Sequence, residues 1–362
     1  MVRKETIHPF HLFVLVYMIQ SGVTLFSLPR MVGEAYGMNG WLVLFIHYGI
    51  ASFNIYLIYL VYKKGEGNSP FQLLEKALPK WLYAPFYCFL VIMWGIIAIT
   101  IVRQYIYILQ IFSFPSTSSN WFIVLMLLLV FVFVIQGFYR ISLITTLLFY
   151  FSFWLLLIGI PIFSAWDIQN MTKFFLVGAT DSTVRSTLEV YTGFLGYELV
   201  LLWFPYLAKE RKNFKAIWLG HSFTFFVYLY ACIVAFGFYS FTQLLDNLFP
   251  TLIAFQHIEL PFLSRFDSLI YAGFLAKVMV TVSLYFWASV HMAKRLMPAS
   301  NTVWILLAIL IVSYVGSLRL DNIRKTVEVL GIASIFDIAT AFLLPVLFLI
   351  FIAIQKRNKN RR

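Results

Sequence analysis

The sequence predicts an all-α integral membrane protein of ten transmembrane helices, and three observations carry that prediction. Of 362 residues, 62% are hydrophobic and only 12% charged, with a mean hydropathy of +0.87, whereas a soluble domain runs at roughly half apolar and a quarter charged. The apolar residues gather into ten runs of about the length, roughly 20 residues, that a helix needs to cross about 30 Å of hydrocarbon. These runs are too continuously apolar for barrel strands with alternating faces, so each must satisfy its backbone hydrogen bonds internally, as a helix does.

The expected spans lie near 10–32, 41–62, 81–112, 121–137, 142–163, 186–207, 216–241, 269–293, 302–316 and 335–355, the ninth being the shortest. Arg3 and Lys4 precede the first. Lys63, Lys64, Lys76 and Lys80 follow the second, Arg140 the fourth, Lys209, Arg211, Lys212 and Lys215 the sixth, Lys294 and Arg295 the eighth, and Lys356, Arg357, Lys359, Arg361 and Arg362 the tenth. Those eighteen basic residues fall on one side; Arg30, Lys173, Arg185, Arg265, Arg319, Arg324 and Lys325 fall on the other. The imbalance predicts cytoplasmic termini. The net charge of +12 is therefore a topology signal and not a nucleic-acid signal. The first run resembles a signal peptide, with Ser21-Gly22 as a small pair, but it continues to Leu28 and the charge pattern needs it retained. The chain thus reads as a single transmembrane domain, residues 1–362.

Two outer connections are long. Residues 164–185 join the fifth and sixth spans. Residues 242–268 combine polar residues with Leu252, Ile253, Phe255, Ile258 and Leu260, and read either as a lid packed on the outer mouth or as an amphipathic connector on the headgroups.

Interruptions of membrane helices are tolerated where the freed backbone faces protein or a cavity. The first span contains Gln20-Ser21-Gly22-Val23-Thr24, and the sixth Thr192-Gly193-Phe194-Leu195-Gly196-Tyr197-Glu198. Each break lies about ten residues into its span, near the midplane. The sixth span matches the first after a shift of five, an odd number, so two units, about 10–163 and 186–355, would have inverted topology with a ligand site at the paired breaks. Close packing by small residues is the simpler reading of either break alone.

Half-helix ends at such breaks offer amides to a carboxylate and carbonyls to an ammonium, which suits an amino acid. The amides of Val23, Thr24 and Leu25 are expected to hold the carboxylate, and carbonyls near Ile19, Gln20, Thr192 and Gly193 the amine. Gly22, Gly193 and Gly196 allow close approach, Ser21 and Leu195 flank the breaks, and Phe194 and Tyr197 are placed to close over the ligand. Trp94, Ala98 and Ile101 are expected to line the pocket from the third span, and Thr281 from the eighth.

Ionisable groups inside a membrane are costly and functional by default. Glu198 and Lys277 lie at comparable depth and form a conceivable pair. Glu198 reads equally as an acceptor for amides at the break; Lys277 reads equally as a snorkelling side chain or as an ammonium in a cation position near Thr281 and Ser283. Arg103 is expected to snorkel or pair structurally. Cys88 and Cys232 lie in apolar runs and are expected to be buried, inert thiols. The six histidines do not cluster, and neither a phosphate loop, nor HExxH, nor G-x-S-x-G occurs, so no enzyme, metal or cofactor is predicted.

The stretches SGVTLFSLP at 21–29, GFLGYELVLLWFPYL at 193–207 and FPTLIAFQHIELPFLSRFD at 249–267 resemble the B subunits of bacterial endospore germinant receptors, a branch of the amino acid-polyamine-organocation transporter superfamily. The resemblance spans nearly the whole chain. It implies a LeuT-like fold in the spore inner membrane, beside an A subunit and a lipoprotein C subunit. It also implies binding of a small germinant, commonly an amino acid such as L-alanine, that triggers germination. The helix-one core lacks an acid and Lys277 sits in helix eight, which departs from ordinary ion coupling. An active transporter of the same fold, or an assembly subunit with a vestigial pocket, are the competing readings.

Overall fold

The computed structural model describes residues 6–171, 174–208, 210–258 and 266–359. Arg3, Lys4, Lys173, Lys209, Arg265, Arg361, Arg362 and the 259–265 portion of the outer loop, Leu260 included, lie outside the described residues. Every regular element among the described residues is helical: α1 (Pro9–Gln20), α2 (Thr24–Tyr36), α3 (Leu44–Lys64), α4 (Pro70–Ala77), α5 (Lys80–Phe112), α6 (Ser119–Ile135), α7 (Phe138–Ser152), α8 (Val184–Thr192), α9 (Val200–Trp203), α10 (Arg211–Phe238), α11 (Phe241–Asp246), α12 (Pro250–Gln256), α13 (Phe266–Leu296), α14 (Thr302–Ser317) and α15 (Ile323–Lys359).

Six of these stretches are long and apolar enough to cross a membrane, and seven when α1 and α2, bent by 59° at their junction, count as one broken span. Among the described residues the protein is all-helical, with the long apolar helices of a membrane protein. α6 and α14 are apolar but have only 17 and 16 residues. The sixth expected span is no continuous helix. α8 stops at Thr192, a 3₁₀ turn covers Tyr197–Leu199, four residues form α9, and a second 3₁₀ turn at Phe204–Tyr206 contains Pro205. Gly193 and Gly196 interrupt one end, and Pro205, which has no amide to donate, limits the other.

α13 forms the axis of the bundle: 83% of its apolar window is buried, against 39% for α3. It packs against α5, α1, α6 and α7. Large apolar side chains such as Phe45 and Phe53 on α3, Leu125 and Leu128 on α6, and Val312 and Val315 on α14 face outward, as a surface solvated by lipid tails requires. Cys232 is buried, but Cys88 is exposed on α5, because its helical phase turns it away from the bundle. Arg103 is structural and does not snorkel. It is buried, its Nε donates to the Ser317 carbonyl at 3.1 Å and its Nη1 to Ser119 Oγ at 2.9 Å, tying α5 to α14 and α6.

The described part of the outer loop is packed on the bundle. α11 starts with a capping box of Ser240 and Gln243. Leu244, Leu252 and Phe255 are buried, and Thr251 Oγ1 donates to the Leu25 carbonyl at 3.0 Å. α11 and α12 thus cover α2, with Ile253 and Ile258 left partly exposed.

Candidate functional site

The first break runs from Ser21 to Val23. The Gly22 amide turns back to the Gln20 carbonyl at 2.8 Å, and the Leu25 amide reaches the Gly22 carbonyl at 3.4 Å. The amides of Val23 and Thr24 have no backbone acceptor among the described residues, so two donors at the positive end of α2 stay open. Ser21 Oγ is buried without a partner.

The second break follows α8. Gly196 has φ +108°, and a Cβ there would meet the Ile19 side chain at 2.9 Å; only glycine fits both the backbone and the gap. Its amide donates to Glu198 Oε2 at 2.7 Å. The two breaks touch. Gln20 Nε2 donates to the Phe194 carbonyl at 2.5 Å, and the Tyr228 hydroxyl of α10 donates between the Gln20 carbonyl at 2.6 Å and the Gly193 carbonyl at 2.8 Å. Thr281 Oγ1 reaches the Met18 and Ile19 carbonyls at 3.3 and 3.2 Å. The carbonyls expected to meet a ligand amine are therefore held by protein hydroxyls, and the Thr192 carbonyl accepts the Leu195 amide at 3.1 Å. Tyr228→Phe is expected to loosen the contact between the breaks and lower stability by about 1 to 2 kcal/mol, measured by thermal unfolding of the purified protein.

A cavity of ≈ 60 Å³ lies against the breaks, enough for a few waters or one small ligand. Ile19, Gln20, Gly22, Val23 and Thr24 line one wall, and Thr192 and Leu195 adjoin them. Ile97, Ile101 and Gln104 of α5, Thr281 and Tyr285 of α13, and Leu330 and Ser334 of α15 complete it.

Several expected residues lie elsewhere. Trp94 is on the lining face of α5, Ile97, Ile101 and Gln104 at spacing i, i+4, i+7, but further along the helix, where its Nε1 donates to Asp337 Oδ1 at 3.1 Å; Ala98 is buried and turned off that face. Phe194 packs edge-on against His221 and Tyr228, and Tyr197 bonds to Tyr191 and Asn54 at 2.8 Å each, so neither covers the cavity. Ser21, Gly193 and Gly196 shape the breaks without lining it. Leu25 and Lys277 line a different, smaller cavity of ≈ 30 Å³.

Glu198 and Lys277 form no ion pair. Lys277 is buried, donates to the Tyr17 hydroxyl at 2.8 Å and lies over the Tyr17 and Phe274 rings, so it neither snorkels nor meets a carboxylate. Glu198 instead faces Asp337. Tyr285 Oη lies 3.1 Å from Glu198 Oε1 and 3.2 Å from Asp337 Oδ2, and Thr340 Oγ1 is 3.4 Å from Asp337 Oδ1. Tyr285 therefore lines the cavity and joins the second break to α15.

Residues 6–326 match the family described as spore germination protein. The chain belongs to that family. It is similar to spore germination protein GerQB of Bacillus cereus, 24% identical over 334 residues that cover 88% of each chain. It is also similar to spore germination protein A2 of Bacillus subtilis, 24% identical over 359 residues, 93% of this chain and 92% of that one.

In this spore germination protein, sequence reasoning missed Gln104, Ser334, Tyr228, Tyr285 and Asp337. Asp337 had a signal: it is an acid inside an apolar run, the same rule that singles out Glu198. The others are neutral polar residues on helices, which carry no signal until the cavity is seen.

Proposed function

We propose that this protein is the nutrient-sensing subunit of a spore germinant receptor, binding a small amino acid such as L-alanine in the cavity beside the two breaks. The single observation that carries the reading is a small cavity at which the open amides of Val23 and Thr24 begin α2. A ligand carboxylate placed there meets two donors and the positive helix end. Its ammonium competes with the Tyr228 and Thr281 hydroxyls for the Gln20 and Ile19 carbonyls, both of residues on the cavity wall. That exchange is the differential contact by which a ligand shifts the bundle between states, with α11 and α12 as the lid over α2.

In the same proposal the chain crosses the spore inner membrane ten times as an inverted repeat of the LeuT kind, 10–163 against 186–355, with both termini cytoplasmic. Its partners are membrane lipid, an A subunit and a lipoprotein C subunit. Gly22→Leu tests the pocket. A Cβ at Gly22 meets only Thr281 Oγ1, at an ordinary 3.4 Å, so the remaining side-chain atoms extend into the cavity. A saturating amino acid at ~100 times its Kd is expected to stabilise the wild type by about 2.7 kcal/mol. The variant is expected to fold and show no such shift across a panel that includes L-alanine; an unchanged shift in Gly22→Leu contradicts the assignment.

A further inference from the structure

We propose that Gln104 and Ser334 form a subsite for a neutral hydrogen-bonding side chain, so that the preferred ligand is a small α-amino acid carrying a hydroxyl or a carboxamide. The inference rests on the cavity being the ligand site and adds the class of side chain it selects. Gln104 is 5% and Ser334 6% exposed and both line the cavity; no hydrogen bond joins either side chain to a described residue, and their polar atoms are not among the fully enclosed unpaired ones, so what is left accessible of these two side chains opens on the cavity. Buried amides and hydroxyls are nearly always paired, so these two are completed by whatever occupies the cavity.

Their placement fits a side chain. Gln104 follows Ile97 and Ile101 at helical spacing on α5, and Ser334 follows Leu330 on α15, so both belong to the wall contributed by helices outside the two breaks. The backbone amides of Val23 and Thr24 belong to the wall contributed by the first break. A ligand whose carboxylate sits on those amides turns its side chain toward Gln104 and Ser334. Both groups donate and accept, which suits a hydroxyl or carboxamide. No Lys or Arg is among the described lining residues, so an acidic side chain finds no counter-charge there.

Isosteric ligand pairs test this on the full-length protein purified in detergent: L-serine against L-2-aminobutyrate, and L-asparagine against L-leucine, compared by equilibrium binding. The polar member of a pair that binds is expected to bind about tenfold or more tightly, because its apolar isostere leaves Gln104 unpaired. Gln104→Leu is expected to bring that ratio near unity by weakening the polar member, and Ser334→Ala to lower it, with thermal unfolding of both variants showing that they fold. Equal affinities in the wild type, or a ratio that neither variant moves, overturn the subsite while leaving the ligand site standing. Absence of binding by every compound, L-alanine included, overturns the ligand site and the subsite with it.

Discussion

Gly196→Val is expected to destabilise the protein by about 3 kcal/mol or more and to abolish its ligand response. Two independent penalties act at this position. The backbone has φ +108°, which a β-branched residue rarely adopts. The new Cβ also lies 2.9 Å from Ile19, whose side chain is buried at the end of α1 beside the first break, so relief requires α1 and the second break to move apart. That movement strains the Gln20 to Phe194 and Tyr228 contacts. Gly316→Ala is the control: no atom lies within 4 Å of its Cβ position, and within α14 alanine is worth about 1 kcal/mol over glycine. Thermal unfolding and ligand-induced shift, measured on both variants, check the contrast.

Tyr285→Phe is expected to destabilise by about 2 to 4 kcal/mol. Its hydroxyl is within reach of two buried carboxyls, at 3.1 and 3.2 Å, and neither takes part in an ion pair among the described residues. A hydroxyl has one proton to give, so it serves one carboxyl at a time; the Gly196 amide on Glu198 and the Trp94 Nε1 and Thr340 hydroxyl on Asp337 leave the facing oxygens to Tyr285. Without the hydroxyl the two acids face each other with nothing between them. Asp337→Asn in the same chain supplies an amide donor in place of one carboxylate, and the double variant is expected to recover part of the loss. A double-mutant cycle on unfolding free energies measures that coupling; additive losses contradict it.

The helical character, the order of apolar segments and both breaks were legible in the sequence because each follows from composition or from glycine placement, which act locally. The site was legible at its ends and not at its sides. Gly22, Val23, Thr24, Thr192 and Leu195, at or beside the breaks, are on the cavity wall, as are Ile101 and Thr281, expected from the third and eighth spans. Trp94 shares the face of α5 that carries Ile101 but lies two turns earlier, against Asp337, and Ala98 is turned off that face, distinctions that apolar periodicity cannot register in a helix that is hydrophobic all round. Glu198 was recognised as costly, but its partner was misread because depth in the membrane does not say which helix faces which; Asp337 on α15 faces it, while Lys277 turns toward Tyr17. The carbonyls expected to hold an amine are held by tyrosine and threonine hydroxyls from α10 and α13, contacts between residues more than 30 positions apart.

The most direct measurement is retention of radiolabelled L-alanine and a panel of further amino acids by sealed proteoliposomes, wild type against Gly22→Leu. The account predicts that retention of a cognate amino acid rises to a plateau of one ligand per wild-type chain and stays at the protein-free level for the variant. Accumulation through many turnovers, or a plateau that Gly22→Leu leaves unchanged, would contradict it.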